Sequence, residues 1–264
     1  MKTLAAVGIA AIFAGPLAAS GGQEGAVKSQ VVEYRHGETV LEGYLAWNPA
    51  VQGRRPAVIV VHEWKGHGPY VRQRADQLAR LGYLAFAIDM YGKGVFAKDH
   101  EEAGKLAGAF FTNRKLMRDR SAAALEVLKK NELCDPKRIA AMGYCFGGTT
   151  ALEMARAGGD LRGVASFHGN LSTPEPGDAK NIKGKVIVFH GIEDKFVPDE
   201  VVRSFHDEMK AAKVDYQFVG FGGAVHSFTV KEAGDDPSKG MAYNEKVDNR
   251  SWNMLKGFLD EVFK

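Results

Sequence analysis

The feature that most narrows the fold is the uninterrupted apolar run Ala57-Val58-Ile59-Val60-Val61. A strand with one face in water alternates polar and apolar residues, so a run that is apolar at every position belongs to a strand covered on both faces. After the loop His62 to Pro69 comes an amphipathic stretch from Tyr70 to Leu81, which completes a strand-loop-helix unit. The unit recurs. Tyr83 to Ile88 reads as a second buried strand, and Met117 to Lys130 has helical spacing, with Ala122, Leu125 and Leu128 on a common face. Ile139 to Met142 is a further strand, and Thr149 to Arg156 a helix ended by Gly158-Gly159. Leu161 to Phe167, Val186 to Phe189 and Val214 to Val219 read as strands, with a helix over Val201 to Ala212 and a long amphipathic helix over Tyr243 to Phe263. Upstream, Val31 to Arg35 and Val40 to Trp47 alternate around His36-Gly37-Glu38 as a hairpin. Strands alternating with helices predict an α/β fold: a mostly parallel, doubly wound sheet whose antiparallel edge is the N-terminal hairpin. The segment between Asp89 and Met117 is short for a separate lid domain. Its start, Tyr91-Gly92-Lys93-Gly94, reads as a flexible rim, followed by a loosely packed short helix.

With 264 residues, 45% apolar and 25% charged, the chain has the balance of one large globular domain, here residues 21 to 264. The net charge of +3 is interspersed and does not describe a nucleic-acid-binding face. The densest basic cluster, Arg114 to Arg120, reads as a solvated helix face. The N-terminus is different in kind: Met1-Lys2 is a positive start, Leu4 to Ala19 is small and apolar, and Ala18-Ala19-Ser20 offers a cleavage site. Residues 1 to about 20 read as a secretory signal, which predicts a periplasmic or secreted protein without stable membrane association once the signal is removed. In an oxidising compartment the 2 cysteines would ordinarily pair. Cys134 and Cys145 flank a strand, however, and five or six extended residues hold their ends roughly 16 to 20 Å apart, beyond the reach of a disulfide. Cys145 is therefore expected to be a reduced thiol.

That thiol stands in Gly143-Tyr144-Cys145-Phe146-Gly147-Gly148, between a strand and a helix. In an open parallel sheet, ligands bind outside the carboxyl ends of the strands. Glycines two residues before and two after Cys145 permit a turn sharp enough to lift the side chain into that crevice. The nearby helix N-terminus favours a thiolate or an oxyanion. A packing cysteine beside glycines would look similar, so the partners decide. Val188 to Asp194 is a buried strand whose exit carries an acid, and Gly222-Gly223-Ala224-Val225-His226 is a glycine-rich strand exit carrying a histidine. Asp194 alone could be a helix-terminal charge before Pro198, and His226 alone a loop histidine. Together they complete the order nucleophile, acid, histidine, each at a strand's C-terminal end.

The segments GYCFGG, HGIEDKFV, GAVHSFT and VHEWKGHG, taken together, resemble the dienelactone hydrolase family of α/β-hydrolases, with similarity from about residue 29 to 264. The resemblance implies an α/β-hydrolase fold without a large lid domain and a triad of Cys145, Asp194 and His226. It implies that Glu63, whose other reading is an exposed loop acid, lies beside the thiol and modulates its protonation. By analogy of role, Cys145 attacks a lactone or ester carbonyl, His226 moves the proton and Asp194 fixes the imidazole. The backbone N–H groups of Phe146 and Trp64 would form the oxyanion hole. No metal or organic cofactor has a role in that scheme. The family's substrate-holding arginine, four residues after the histidine, is replaced by Val230 with Lys231 beside it, and a second falls near Lys93. Lysine cannot reproduce a bidentate fork, so the dienelactone itself is in question as the substrate. Lys93, Lys231 and Tyr91 remain candidate substrate-binding residues, and Trp64, Tyr91 and Phe146 would suit an apolar or aromatic acyl group or simply pack as wall.

Three other readings compete. His62 and His67 invite a zinc site, but they are five apart in a glycine-containing loop, where a zincin needs a spacing of four on a helix. A ligand-binding or thiol-redox protein could retain the fold without the chemistry; no resolving cysteine is within reach for the latter. A carboxylesterase for short acyl esters would use the same fold and mechanism.

Overall fold

The computed structural model describes residues 26–264; the predicted secretory signal lies outside them. Eight strands form one sheet: β1 (Lys28–His36), β2 (Thr39–Trp47), β3 (Arg55–Val61), β4 (Leu84–Ile88), β5 (Cys134–Tyr144), β6 (Gly163–Phe167), β7 (Lys185–Gly191) and β8 (Tyr216–Phe221), in the order β1-β2-β4-β3-β5-β6-β7-β8. The β1–β2 hairpin is antiparallel and joins β4 antiparallel, and every other neighbour is parallel. The expected doubly wound α/β sheet with an antiparallel N-terminal edge is what the chain forms.

The apolar run in β3 shows why. Ala57, Ile59 and Val61 point into one core with α2 (His100–Phe111), α3 (Arg114–Lys129), α4 (Phe146–Arg156) and α5 (Asp199–Ala211). Val58 and Val60 point into the other, with α1 (Pro69–Arg80) and α6 (Glu245–Val262). A period of two thus feeds both faces. β4 lies on one side of β3 and β5 on the other, so the winding direction reverses between them. This is the crevice where open α/β sheets bind ligands. The register pairs Val61 with Gly143, which brings the exits of β3 and β5 side by side.

Several boundaries depart from the sequence reading. β5 begins at Cys134 rather than Ile139, because a register irregularity between Arg55 and Ala57 absorbs Pro136, which has no N–H to donate. The longer strand also carries Cys134 to the opposite end from Cys145, and both are free thiols. α4 begins at Phe146, since Gly147 and Gly148 hide the helix start from propensity. The expected loose helix after Asp89 is α2, capped by the Asp99 carboxylate at the Glu102 N–H and burying Ala103, Ala107 and Phe110. The basic cluster is not simply a solvated face. Arg120 is buried and donates to the Met90 carbonyl, while Arg118 pairs with Glu153 and Asp178. Arg156 forms a fork with Glu208 and also meets Glu153, all three out of water. Among the described residues no helix is long and apolar enough to cross a membrane.

Candidate active site

Cys145 stands between β5 and α4 with φ of 53°, in a region a side chain adopts only at a cost of about 1–3 kcal/mol. Its N–H donates to the Phe167 carbonyl at 2.9 Å and its carbonyl accepts the Gly148 N–H at 2.9 Å, which fixes the turn. The flanking glycines are steric requirements. A Cβ at Gly143 would collide with the Gly147 carbonyl, and one at Gly147 with the carbonyl oxygens of Val61 and His62. The two strand exits therefore meet backbone to backbone, with the thiol partly exposed above them.

His226 follows β8 and Asp194 follows β7. The His226 Nε2 lies 3.1 Å from the Cys145 Sγ, and its Nδ1 lies 2.8 Å from Asp194 Oδ2. The other carboxylate oxygen of Asp194 accepts the Phe196 N–H at 2.9 Å, so the acid is held from two sides. The His226 carbonyl accepts the Ala242 N–H, and the rings of His168 and Phe196 pack edge-on against the imidazole at 5.1 and 5.2 Å. Burial alone would depress the imidazolium pKa. The sulfur and the Asp194 carboxylate outweigh it and raise the value to about 10. The arrangement favours a protonated imidazole between the sulfur and the Asp194 carboxylate.

The loop after β3 forms the opposite wall. His62, fully buried, accepts the Met90 N–H at 3.1 Å on Nε2 and meets the Glu63 carbonyl through Nδ1, so both ring nitrogens are spent on backbone. His67 approaches the Ala87 carbonyl at 3.1 Å. Burial, then the neighbouring His62 and Arg72, pushes its pKa down to about 4. Glu63 is half-buried rather than a fully solvated loop acid. Desolvation, augmented by Glu232 and opposed by His226, lifts its pKa to about 7. Among the described residues, neither the Trp64 nor the Phe146 N–H has an acceptor. The Trp64 carbonyl accepts the Tyr91 hydroxyl at 2.8 Å, and the Trp64 ring lies on His100 at 5.1 Å. Phe146 is buried among His62, Tyr91, Phe110 and Phe111.

The fold thus brings Cys145, Asp194 and His226 into one hydrogen-bonded chain, with Glu63, Trp64 and Phe146 around it. Tyr91 is buried with its hydroxyl committed to Trp64, so it supports the loop. Lys93 is not gathered in: its ammonium lies 2.7 Å from Glu33 on the hairpin and is half exposed. Lys231 lies over the Tyr243 ring and lines, with Arg74 and Trp252, a chamber that shares Tyr70 and Glu232 with the cavity beside Glu63. Sequence reasoning did not single out Phe196 or Glu232. Phe196 lies within the HGIEDKFV segment, but nothing in a linear pattern shows that its ring reaches His226.

Residues 41–263 match the family model described as the dienelactone hydrolase family. A protein of Aquifex aeolicus (strain VF5), provisionally named carboxymethylenebutenolidase, is 30% identical over 239 residues, 89% of this chain and 99% of that one. A Bradyrhizobium sp. protein, provisionally named 2-oxo-3-(5-oxofuran-2-ylidene)propanoate lactonase, is 31% identical over 73% of this chain and 80% of its own. Among solved structures, a dienelactone hydrolase-like promiscuous phosphotriesterase from metagenomic libraries superposes with a TM-score of 0.86. It is 36% identical and covers 91% of this chain and 100% of its own.

Proposed function

The chain belongs to the dienelactone hydrolase family of α/β-hydrolases, and from that membership we propose that it hydrolyses a lactone or small carboxylic ester through a thioester on Cys145. The observation that carries this reading is the continuous contact from Cys145 Sγ to His226 Nε2 at 3.1 Å and from Nδ1 to Asp194 at 2.8 Å.

The Cys145 thiolate, paired with the His226 imidazolium, attacks the carbonyl carbon, and the C=O electron pair moves onto oxygen. The Phe146 and Trp64 N–H groups donate to that oxyanion; each such donor lowers the barrier by about 3–4 kcal/mol in comparable sites. Collapse expels the alcohol oxygen, which takes its proton from His226, and leaves the thioester. In a lactone the alcohol stays attached to the acyl chain. Water then attacks the thioester while neutral His226 takes its proton, and collapse returns the acid and the thiolate-imidazolium pair. Asp194 keeps the Nδ1 proton in place and stabilises the imidazolium in both half-reactions. Glu63, with a pKa near neutrality, adjusts the charge felt by the thiol through its ionisation.

A cavity of about 220 Å³ bounded by Glu63, Tyr70 and Val230 adjoins the triad on its Glu63 side, and its size suits a small acyl group, which also favours a short-acyl carboxylesterase activity. Export of the protein, read from residues 1 to about 20, belongs to this proposal, and fractionation of cells carrying the full chain tests it. The chemistry is tested by rapid acid quench and mass spectrometry during turnover of an aryl ester. An acyl group on the peptide containing Cys145 supports the mechanism. A burst of released phenol with no label on that peptide would contradict it.

A further inference from the structure

Seven large apolar side chains are exposed among the described residues: Val31, Leu81, Val95, Phe96, Ile192, Phe196 and Met254. Val95 and Phe96 lie on the exit from β4, and Ile192 and Phe196 on the exit from β7. Exposed apolar surface collected at the end of the sheet that carries Cys145 marks a contact surface for something apolar. Phe96, 51% exposed, packs against the loop after β3, where a Cβ on Gly68 would run into its ring, and it lines the cavity with Glu63 and Val230. Phe196, 53% exposed, packs on His226.

The charges of the cavity point the same way. Its acidic and basic side chains are Glu63, Glu232 and Lys65. Of the other nearby cations, Arg72 pairs with Glu42, Arg74 with Asp248 and Lys93 with Glu33, while Lys231 lies over the Tyr243 ring in the adjoining chamber rather than in the cavity lining. Glu63 already ionises with difficulty, first through burial and then through Glu232. A third carboxylate, brought by the substrate, would meet two acids and one lysine, with Val230 offering only methyl groups.

The geometry points to an uncharged, apolar ester or lactone as the substrate class, with Phe96 and Phe196 taking its apolar groups and the Glu63–Glu232 pair turning away a carboxylate-bearing acyl group. This rests on the hydrolase reading of Cys145. The test is kcat/KM at pH 8 for p-nitrophenyl hexanoate against p-nitrophenyl monoadipate, which share chain length and leaving group and differ by one carboxylate. Hexanoate should be preferred by at least about tenfold, a ratio expected from one or two screened like-charge contacts. Glu232→Lys should narrow that ratio several-fold. Phe96→Ser and Phe196→Ser should each raise KM for hexanoate relative to p-nitrophenyl acetate. Equal turnover of the two six-carbon esters, or preference for the adipate, would overturn the substrate class and leave the hydrolase intact. Turnover of neither ester, nor of acetate, above the Cys145→Ala background would overturn the hydrolase reading and this inference with it.

Discussion

The Tyr91 hydroxyl donates to the Trp64 carbonyl at 2.8 Å, which ties down the residue whose own N–H is the proposed oxyanion donor. Tyr91→Phe removes the donor and leaves a partly buried carbonyl unpaired, a loss of about 1–3 kcal/mol. The expected result in steady-state kinetics is a kcat reduced by about tenfold with KM nearly unchanged, because a displaced oxyanion donor acts on the transition state rather than on ground-state binding. An equal fall in stability with no change in kcat would make Tyr91 a packing residue only.

Asp194 accepts from both His226 and the Phe196 N–H. Asp194→Asn keeps the shape but stabilises the wrong imidazole tautomer, and kcat should fall by about 10²–10⁴-fold, the upper figure being that of a serine triad. The alkaline side of the pH profile should move to lower pH as well, since a support of the His226 imidazolium is gone.

Glu63 has a pKa raised from 4.5 to about 7 by burial. An acid with a raised folded-state pKa costs nothing below its unfolded value. The cost grows between pH 4.5 and 7 and is complete above 7. Glu63→Gln should therefore match the parent near pH 4.5 in urea denaturation and exceed it by about 3 kcal/mol at pH 8, from about 1.36 kcal/mol per pKa unit.

Gly147 meets the carbonyl oxygens of Val61 and His62 across the strand exits. Gly147→Ala should destabilise the fold by about 4 kcal/mol or more, in the range reserved for overpacking against backbone. Thermal denaturation checks this. A Tm within a few degrees of the parent would mean that the two exits can separate.

Much of this was readable in the linear chain because it depends on local pattern. The two-sided burial of Ala57 to Val61 identified a covered parallel strand, and the glycines around Cys145 identified the turn. The order Cys145, Asp194, His226 is likewise a linear property. What could not be read depends on pairing partners distant in sequence. Arg120 looked solvated until α3 placed it under the Met90 carbonyl. Lys93 looked like a substrate ligand until the hairpin presented Glu33. Tyr91 looked like a substrate-binding residue until its hydroxyl met Trp64. In each case a side chain's role was set by an acceptor 27 or more residues away.

The central claim is that the Cys145 thiol performs the chemistry, and the most direct measurement is kcat/KM of Cys145→Ala on a small aryl ester and an unsaturated lactone beside the unaltered protein. The account predicts that turnover of both falls to the uncatalysed background, with the fold retained by circular dichroism. Turnover that persists in a folded Cys145→Ala protein would contradict it.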